Sequence, residues 1–231
     1  MTQITMTQTT IPQTTITFPE IALRVRDGHK LRGYFGNVFK EHSELLHNHF
    51  ADGTPQYRYS LVQYKVLNRV PTLVGLGEAA SLLVELFLKI KSIEIDGHLY
   101  PILSKNISHQ NITIGLSNDL HSYRFDTLWL GLNQKNYGIY QKINNDNDRN
   151  VLLKNTAIAN INTFYEDMGL DLDKNEHRIL MKLNLTEPTL TNFKNNKMMA
   201  FGGTFTTNAL LPNFIGLGKS VSRGFGSIIQ L

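Results

Sequence analysis

The chain has 231 residues, 41% hydrophobic and 18% charged, with 12 Phe, 9 Tyr and one Trp, a mixture that buries a core and excludes wholesale disorder. Its formal charge is +4; residues 1–187 are neutral, so the surplus lies in Lys194, Lys197, Lys219 and Arg223 of the acid-free stretch 188–231. Cysteine is absent, which excludes disulfides, thiolate nucleophiles, thiolate zinc sites and iron–sulfur clusters and agrees with a reducing cytoplasm.

In chain order, residues 1–17 contain eight Thr and no charge. They read as a polar, partly extended lead-in, with a β-branched strand setting in from about Thr15. No secretory signal is visible in them, and the most apolar run, Ala79 to Ile90, is too short to span a bilayer. A soluble cytoplasmic protein without membrane contact is expected. ITFPEIALRV alternates as a strand, and Leu31, Phe35, Val38, Phe39, Leu45 and Leu46 follow at helical spacing. YRYSLVQYKVL and PTLVGLG form a hairpin around Asn68-Arg69, GEAASLLVELFLKIK is an amphipathic helix, and SIEIDGHLYPI returns as a strand. The order is βαββαβ, the ferredoxin-like arrangement.

A second pass begins with the strand HSYRFDTLWLGL and a polar stretch leading into a helix from about Arg149 to Met168. HRILMKLNL and KMMAFGGTFTTNA read as a strand pair and RGFGSIIQL as the last strand. Where the first pass has its second helix, PNFIGLGKSVS offers a glycine-rich loop with a short helical turn at most. Val74 to Gly77 and Ile215 to Gly218 echo each other (VGLG, IGLG) just after the third strand of each pass. The expected fold is therefore α+β: a lead-in over 1–17 and tandem ferredoxin-like domains over 18–117 and 118–231.

The C-terminal loop GLGKSVSRGFG has the composition of a phosphate cradle. Gly216, Gly218, Gly224 and Gly226 permit close backbone approach and leave N–H groups to face an anion. Lys219 and Arg223 add charge, and Ser220 and Ser222 add hydroxyls. Walker A fails for want of its upstream glycine, and the dinucleotide fingerprint fails at Val221. A flexible turn between strands would share this composition; coincidence with the basic end of the chain favours an RNA or DNA backbone.

LLHNHF places His47 and His49 two residues apart just past the first helix, with Lys40 and His42 before them and Tyr57, Arg58 and Tyr59 after. Two imidazoles can divide acid and base roles near neutral pH. A zinc site from His42, His47 and His49 is an alternative without a visible supporting shell. Asp146 with Asp148 and Asp171 with Asp173 read as helix caps in polar turns, not as metal ligands. No Ser-His-Asp order or GxSxG is present.

LRGYFGNVF, LLHNHF, YRYSLVQYKV and above all FIGLGKSVSRGFGSI resemble the CRISPR-associated repeat-RNA endoribonucleases of the RAMP superfamily, the Cas-six family, in its type I-B-like branch. The resemblance covers about Phe18 to Leu231. It implies two ferredoxin-like domains and cleavage of the CRISPR repeat transcript with neither metal nor cofactor. The 2′-hydroxyl attacks the adjacent phosphate, leaving a 2′,3′-cyclic phosphate and a 5′-hydroxyl. His47 and His49 would carry the acid–base work, Lys40 and Tyr57 would assist, and the glycine loop would hold the RNA backbone. Repeat RNA is the implied partner, with a homodimer or association with a CRISPR effector complex as candidate assemblies. In-line attack needs a base, an acid and cations on the phosphorane, which two His and nearby Lys or Arg supply. It also needs RNA, since DNA lacks the 2′-hydroxyl. A catalytically silent RAMP subunit that binds guide RNA is the alternative; it would keep the loop without needing the histidines.

Overall fold

The computed structural model describes residues 8–39, 59–173, 177–193 and 196–231. Packing divides the chain into two units. The first takes residues 10–112 and 221–224, and the second takes residues 113–220 and 225–231 together with 8 and 9.

In the first unit, strand β1 spans Gln8–Thr17. This corrects the expectation of a polar lead-in with a strand only from about Thr15, because Ile11, Gln13, Thr14 and Ile16 are all buried. Threonine's branched Cβ suits an extended backbone. The Thr14 hydroxyl donates to the Ala80 carbonyl at 2.7 Å, so polarity inside the fold is satisfied rather than orphaned. The chain after Thr17, where alternation suggested a strand, runs irregularly into a 3-10 turn at Val25–Asp27. Helix α1, Gly28–Val38, follows. Asp27 anchors its start with Lys30 Nζ 2.8 Å away. Burial pushes the Asp27 carboxyl up, but hydrogen bonds from Lys30 and Arg24 outweigh it and hold the group below its usual range.

Strands β2 (Val62–Leu67) and β3 (Val70–Leu76) form the expected hairpin. Asn68 and Arg69 both take positive φ, 48° and 69°, as a two-residue type I′ turn requires. Helix α2 is Glu78–Phe87. SIEIDGHLYPI does not return as the last strand: it folds on itself as β4 (Ser92–Ile95) and β5 (His98–Pro101), turning at Asp96-Gly97. The last strand is instead the beginning of β6, Asn106–Trp129. The resulting order β2–β3–β1–β6 is that of a ferredoxin-like βαββαβ unit. Under it, the Phe35 ring of α1 stacks on Tyr64 at 5.8 Å and meets Phe87 edge-on at 4.7 Å.

The second unit begins inside β6. Helices α3 (Gln134–Lys142) and α4 (Asp146–Asp167) follow, the first from a stretch read only as polar. The Asn145 side chain caps α4 by accepting the Asp148 N–H at 2.8 Å. Asp146 and Asp148 lie in the first turn, where the helix dipole favours acids. Then come β7 (Met181–Leu185), β8 (Thr189–Phe193), β9 (Asn196–Leu210) and β10 (Ile228–Gln230). The order β10–β6–β9–β7 repeats the ferredoxin-like pattern, and β8 adds a hairpin to β9. In place of the second helix stands the glycine loop with one 3-10 turn, Val221–Arg223. The core is aromatic: Phe125 stacks on Trp129 at 5.4 Å, and Trp129 meets Phe201 at 5.9 Å. Among the described residues no helix is long and apolar enough to cross a membrane.

Candidate functional site

His47 and His49, with Lys40 and Tyr57, lie outside the described residues. They belong to the segment that joins α1 to β2, and both ends of that segment are anchored in the first unit. Before it, the Phe39 ring packs 5.1 Å from Phe87. After it, the Tyr59 hydroxyl accepts a hydrogen bond from Gln63 Nε2 at 2.8 Å.

The glycine loop is fully described. Three of its four glycines have positive φ: Gly218 at 86°, Gly224 at 90° and Gly226 at 65°. Each is needed for close packing. A Cβ on Gly218 would stand 2.7 Å from the Leu130 carbonyl oxygen and 2.8 Å from Trp129 Nε1. One on Gly226 would run into the Leu217 carbonyl. The echo between passes is structural as well, since Gly77, just before α2, has φ 56° where Gly218 precedes the 3-10 turn.

The expectation that the loop leaves several N–H groups for an anion is corrected in part. Leu217 N–H donates to Gly226 O at 2.9 Å, Lys219 N–H to Leu130 O at 2.9 Å, and Gly226 N–H to Leu128 O at 2.9 Å. Gly224 N–H closes the turn onto Val221 O at 3.1 Å. The glycines let the loop fold against neighbouring carbonyls, and those bonds make it a rigid frame. What the frame presents is side chains: Lys219 is exposed, while Ser220, Ser222 and Arg223 are half-buried. Residues 221–224 pack with the first unit and the rest of the loop with the second.

Three residues in the first unit went unnoticed in the sequence. Arg32 of α1 lies within electrostatic reach of Arg223; burial, then the like charge of Arg223, lowers its guanidinium below the usual value. Burial alone lowers Arg223. Tyr64 is fully buried, its hydroxyl has no hydrogen-bond partner, and burial pushes its phenol up. Lys65, next along β2, is also fully buried with Nζ unpartnered, and burial draws its ammonium down to about 7. Lys65 shares its strand face with buried Gln63, opposite Tyr64. Polar residues alternating with apolar ones in VQYKVL were the available signal for Lys65. Arg32, one of two basic residues on amphipathic α1 beside Lys30, offered none.

Among the described residues no three His, Asp or Glu side chains are grouped as a metal site requires.

Comparison with known proteins covers nearly the whole chain. Residues 9–113 match the family described as the Cas6b N-terminal domain, and residues 115–231 match the Cas6b C-terminal domain. A solved structure titled as Cas6b superposes with a TM-score of 0.91 at 31% identity, covering 96% of this chain and 100% of that one. A second, titled as a CRISPR RNA processing endoribonuclease Cas6b, gives a TM-score of 0.77 at 28% identity, with 96% and 100% covered. An uncharacterized protein of Methanocaldococcus jannaschii is 27% identical over 147 residues, 64% of this chain and 97% of that protein.

Proposed function

The chain belongs to the Cas6b family, and we propose that it processes CRISPR precursor RNA by metal-independent transesterification within the repeat. One of His47 and His49 takes the proton of the 2′-hydroxyl, and the other gives a proton to the departing 5′-oxygen. The 2′-oxygen–phosphorus bond forms as the 5′-oxygen–phosphorus bond breaks, leaving a 2′,3′-cyclic phosphate and a 5′-hydroxyl. Lys40 and Tyr57 assist at the phosphorane, where developing charge calls for positioned donors. The loop from Gly216 to Gly226 holds the RNA backbone through Lys219, Arg223 and the hydroxyls of Ser220 and Ser222.

The observation that carries this reading is the His-Asn-His spacing in the α1–β2 connection of a chain that matches the Cas6b domains over residues 9–113 and 115–231. A closely bonded loop carrying two of the four residues of the basic surplus, Lys219 and Arg223, supports the binding half. A cysteine-free chain suits the reducing cytoplasm where the transcript is made.

The test is incubation of repeat RNA with the protein in EDTA. Cleavage to a cyclic-phosphate product is expected, with loss of about 10²-fold or more in rate for His47→Ala or His49→Ala. A single 2′-deoxy substitution 5′ of the cut should abolish the reaction. Cleavage that EDTA silences, or that survives the double histidine variant, overturns the mechanism.

A further inference from the structure

Successive residues of strand β2 face opposite ways. Tyr64 turns toward α1, where Phe35 stacks on it at 5.8 Å. Gln63 and Lys65 turn to the other face, and two parts of the candidate site are fastened there. Gln63 Nε2 donates to the Tyr59 hydroxyl at 2.8 Å, just past the histidine segment. Gly224 of the glycine loop lies over Lys65. A Cβ on that glycine would stand 3.4 Å from Lys65 Cα, 3.8 Å from its Cβ and 3.1 Å from the Tyr64 carbonyl oxygen. The glycine puts no side chain of its own between strand and loop.

Lys65 is wholly buried and its Nζ has no hydrogen-bond partner. Its cross-strand neighbour is Thr72, whose hydroxyl donates to the Val70 carbonyl at 3.1 Å. β3 carries no titratable group, and neither β2, α1 nor the loop contains an acid. α1, with Lys30 and Arg32, lies on the Tyr64 side of the strand, and the loop turn brings Arg223. The Val25–Asp27 turn brings one acid, Asp27, which Lys30 and Arg24 engage at 2.8 Å and 3.5 Å. Burial is the one cause that draws the Lys65 ammonium down to about 7; among the described residues no carboxylate answers it. An unanswered buried ammonium opposes folding, whereas Met would fill a similar volume without that cost. Titratable groups so displaced, set against a ligand-binding element, are characteristic of functional positions.

We propose that Lys65 is a positioning residue for the RNA backbone, its ammonium serving as buried counter-charge, through Gly224, to a phosphate held at the loop turn. The inference rests on the RNA-processing reading above and adds to it a residue that itself touches no RNA. A phosphate on the solvent side of the turn is one layer of backbone away from the lysine. Charge is felt strongly across so thin a layer of low dielectric. The phosphate favours the protonated lysine, so RNA binding draws a proton from solvent onto Nζ. By linkage, a group whose proton affinity rises on binding strengthens binding at low pH. That contribution is lost as pH rises from the free value of about 7 through the higher bound one.

The experiment measures the affinity of uncleavable repeat RNA, 2′-deoxy at the cut, at constant salt and at pH values from about 7 to about 9. It uses the full chain and its Lys65→Met and Lys65→Gln variants. A roughly tenfold gain in proton affinity on binding makes the wild-type affinity fall about fivefold across that range. Lys65→Met should remove that fall and bind at pH of about 7 roughly fivefold more weakly than wild type. Lys65→Gln, a donor without charge, should behave as Lys65→Met does. Calorimetry at pH of about 8, in two buffers of different ionisation enthalpy, should show about 0.4 more protons taken up per RNA bound by wild type than by Lys65→Met. A lysine that only supports the fold would change the urea midpoint and leave these pH readouts as they are.

Wild-type pH dependence in both variants overturns the counter-charge, as does equal proton uptake by wild type and Lys65→Met. Should neither variant fold, absence of proton uptake by the wild type overturns it instead. Either result leaves the functional reading standing as long as wild type binds and cuts repeat RNA. A wild-type protein that does neither sinks that reading, and the counter-charge with it.

Discussion

Below pH about 7 the Lys65 ammonium is protonated in both the folded and the unfolded chain, and its burial penalty is felt in full. As pH rises from about 7 toward the ordinary lysine value near 10.5, the unfolded chain holds a proton that the native chain has released. Stability from this group therefore rises with pH across that window. Lys65→Met should stabilise the protein at pH 7 by about 1–3 kcal/mol, the scale of an unsatisfied buried donor, and flatten the rise. Urea unfolding at several pH values reads both effects; a destabilised variant would mean that the fold uses the ammonium. Gly226 is constrained in the opposite sense. Alanine there meets both a positive φ and the Leu217 carbonyl, so Gly226→Ala should lower stability by about 2 kcal/mol or more, seen as an earlier urea midpoint. At this scale His47 and His49 stand out as candidates because a two-residue spacing is local. Lys65 and Arg32 do not, because burial and like-charge proximity arise only when α1, β2 and the loop are brought together.

Among the elements, β1 carries the clearest lesson. Its threonines resemble those of a solvated tail, and no local signal separates the two states. What makes it a strand is β3 pairing on one side and β6 on the other, with Ile16 wholly buried. Ile16→Ala should then cost about 2–4 kcal/mol, measured by chemical denaturation, whereas a tail residue would tolerate it. Hairpins were easier to read. Asn68-Arg69 is a local turn between two apolar runs, and its backbone conformation follows from its neighbours' twist. The same chemistry at Asp96-Gly97 turns the chain back on itself where alternation predicts one continuous strand, Asp-Gly between alternating residues being a strong short-range hairpin signal. The end of the first ferredoxin-like unit was displaced into β6 for that reason.

For the molecule as a whole, the function proposed above assigns RNA holding to the basic end of the chain. Lys219→Ala should weaken RNA binding at low salt and reduce the salt slope by about 0.7 to 0.9, with little change in cleavage rate at saturating protein. An unchanged slope would place Lys219 away from the backbone. The amino-acid sequence alone determined the α+β class, the tandem βαββαβ order and the basic glycine loop, since each depends on periodicity, spacing or composition within a short window. Tertiary structure decided that residues 8–17 are a central strand and that the loop's N–H groups close on neighbouring carbonyls. It also brought Arg32 and Arg223 to one place. Those outcomes depend on strand pairing and desolvation between residues as far apart in the chain as Arg32 and Arg223, which no local pattern encodes.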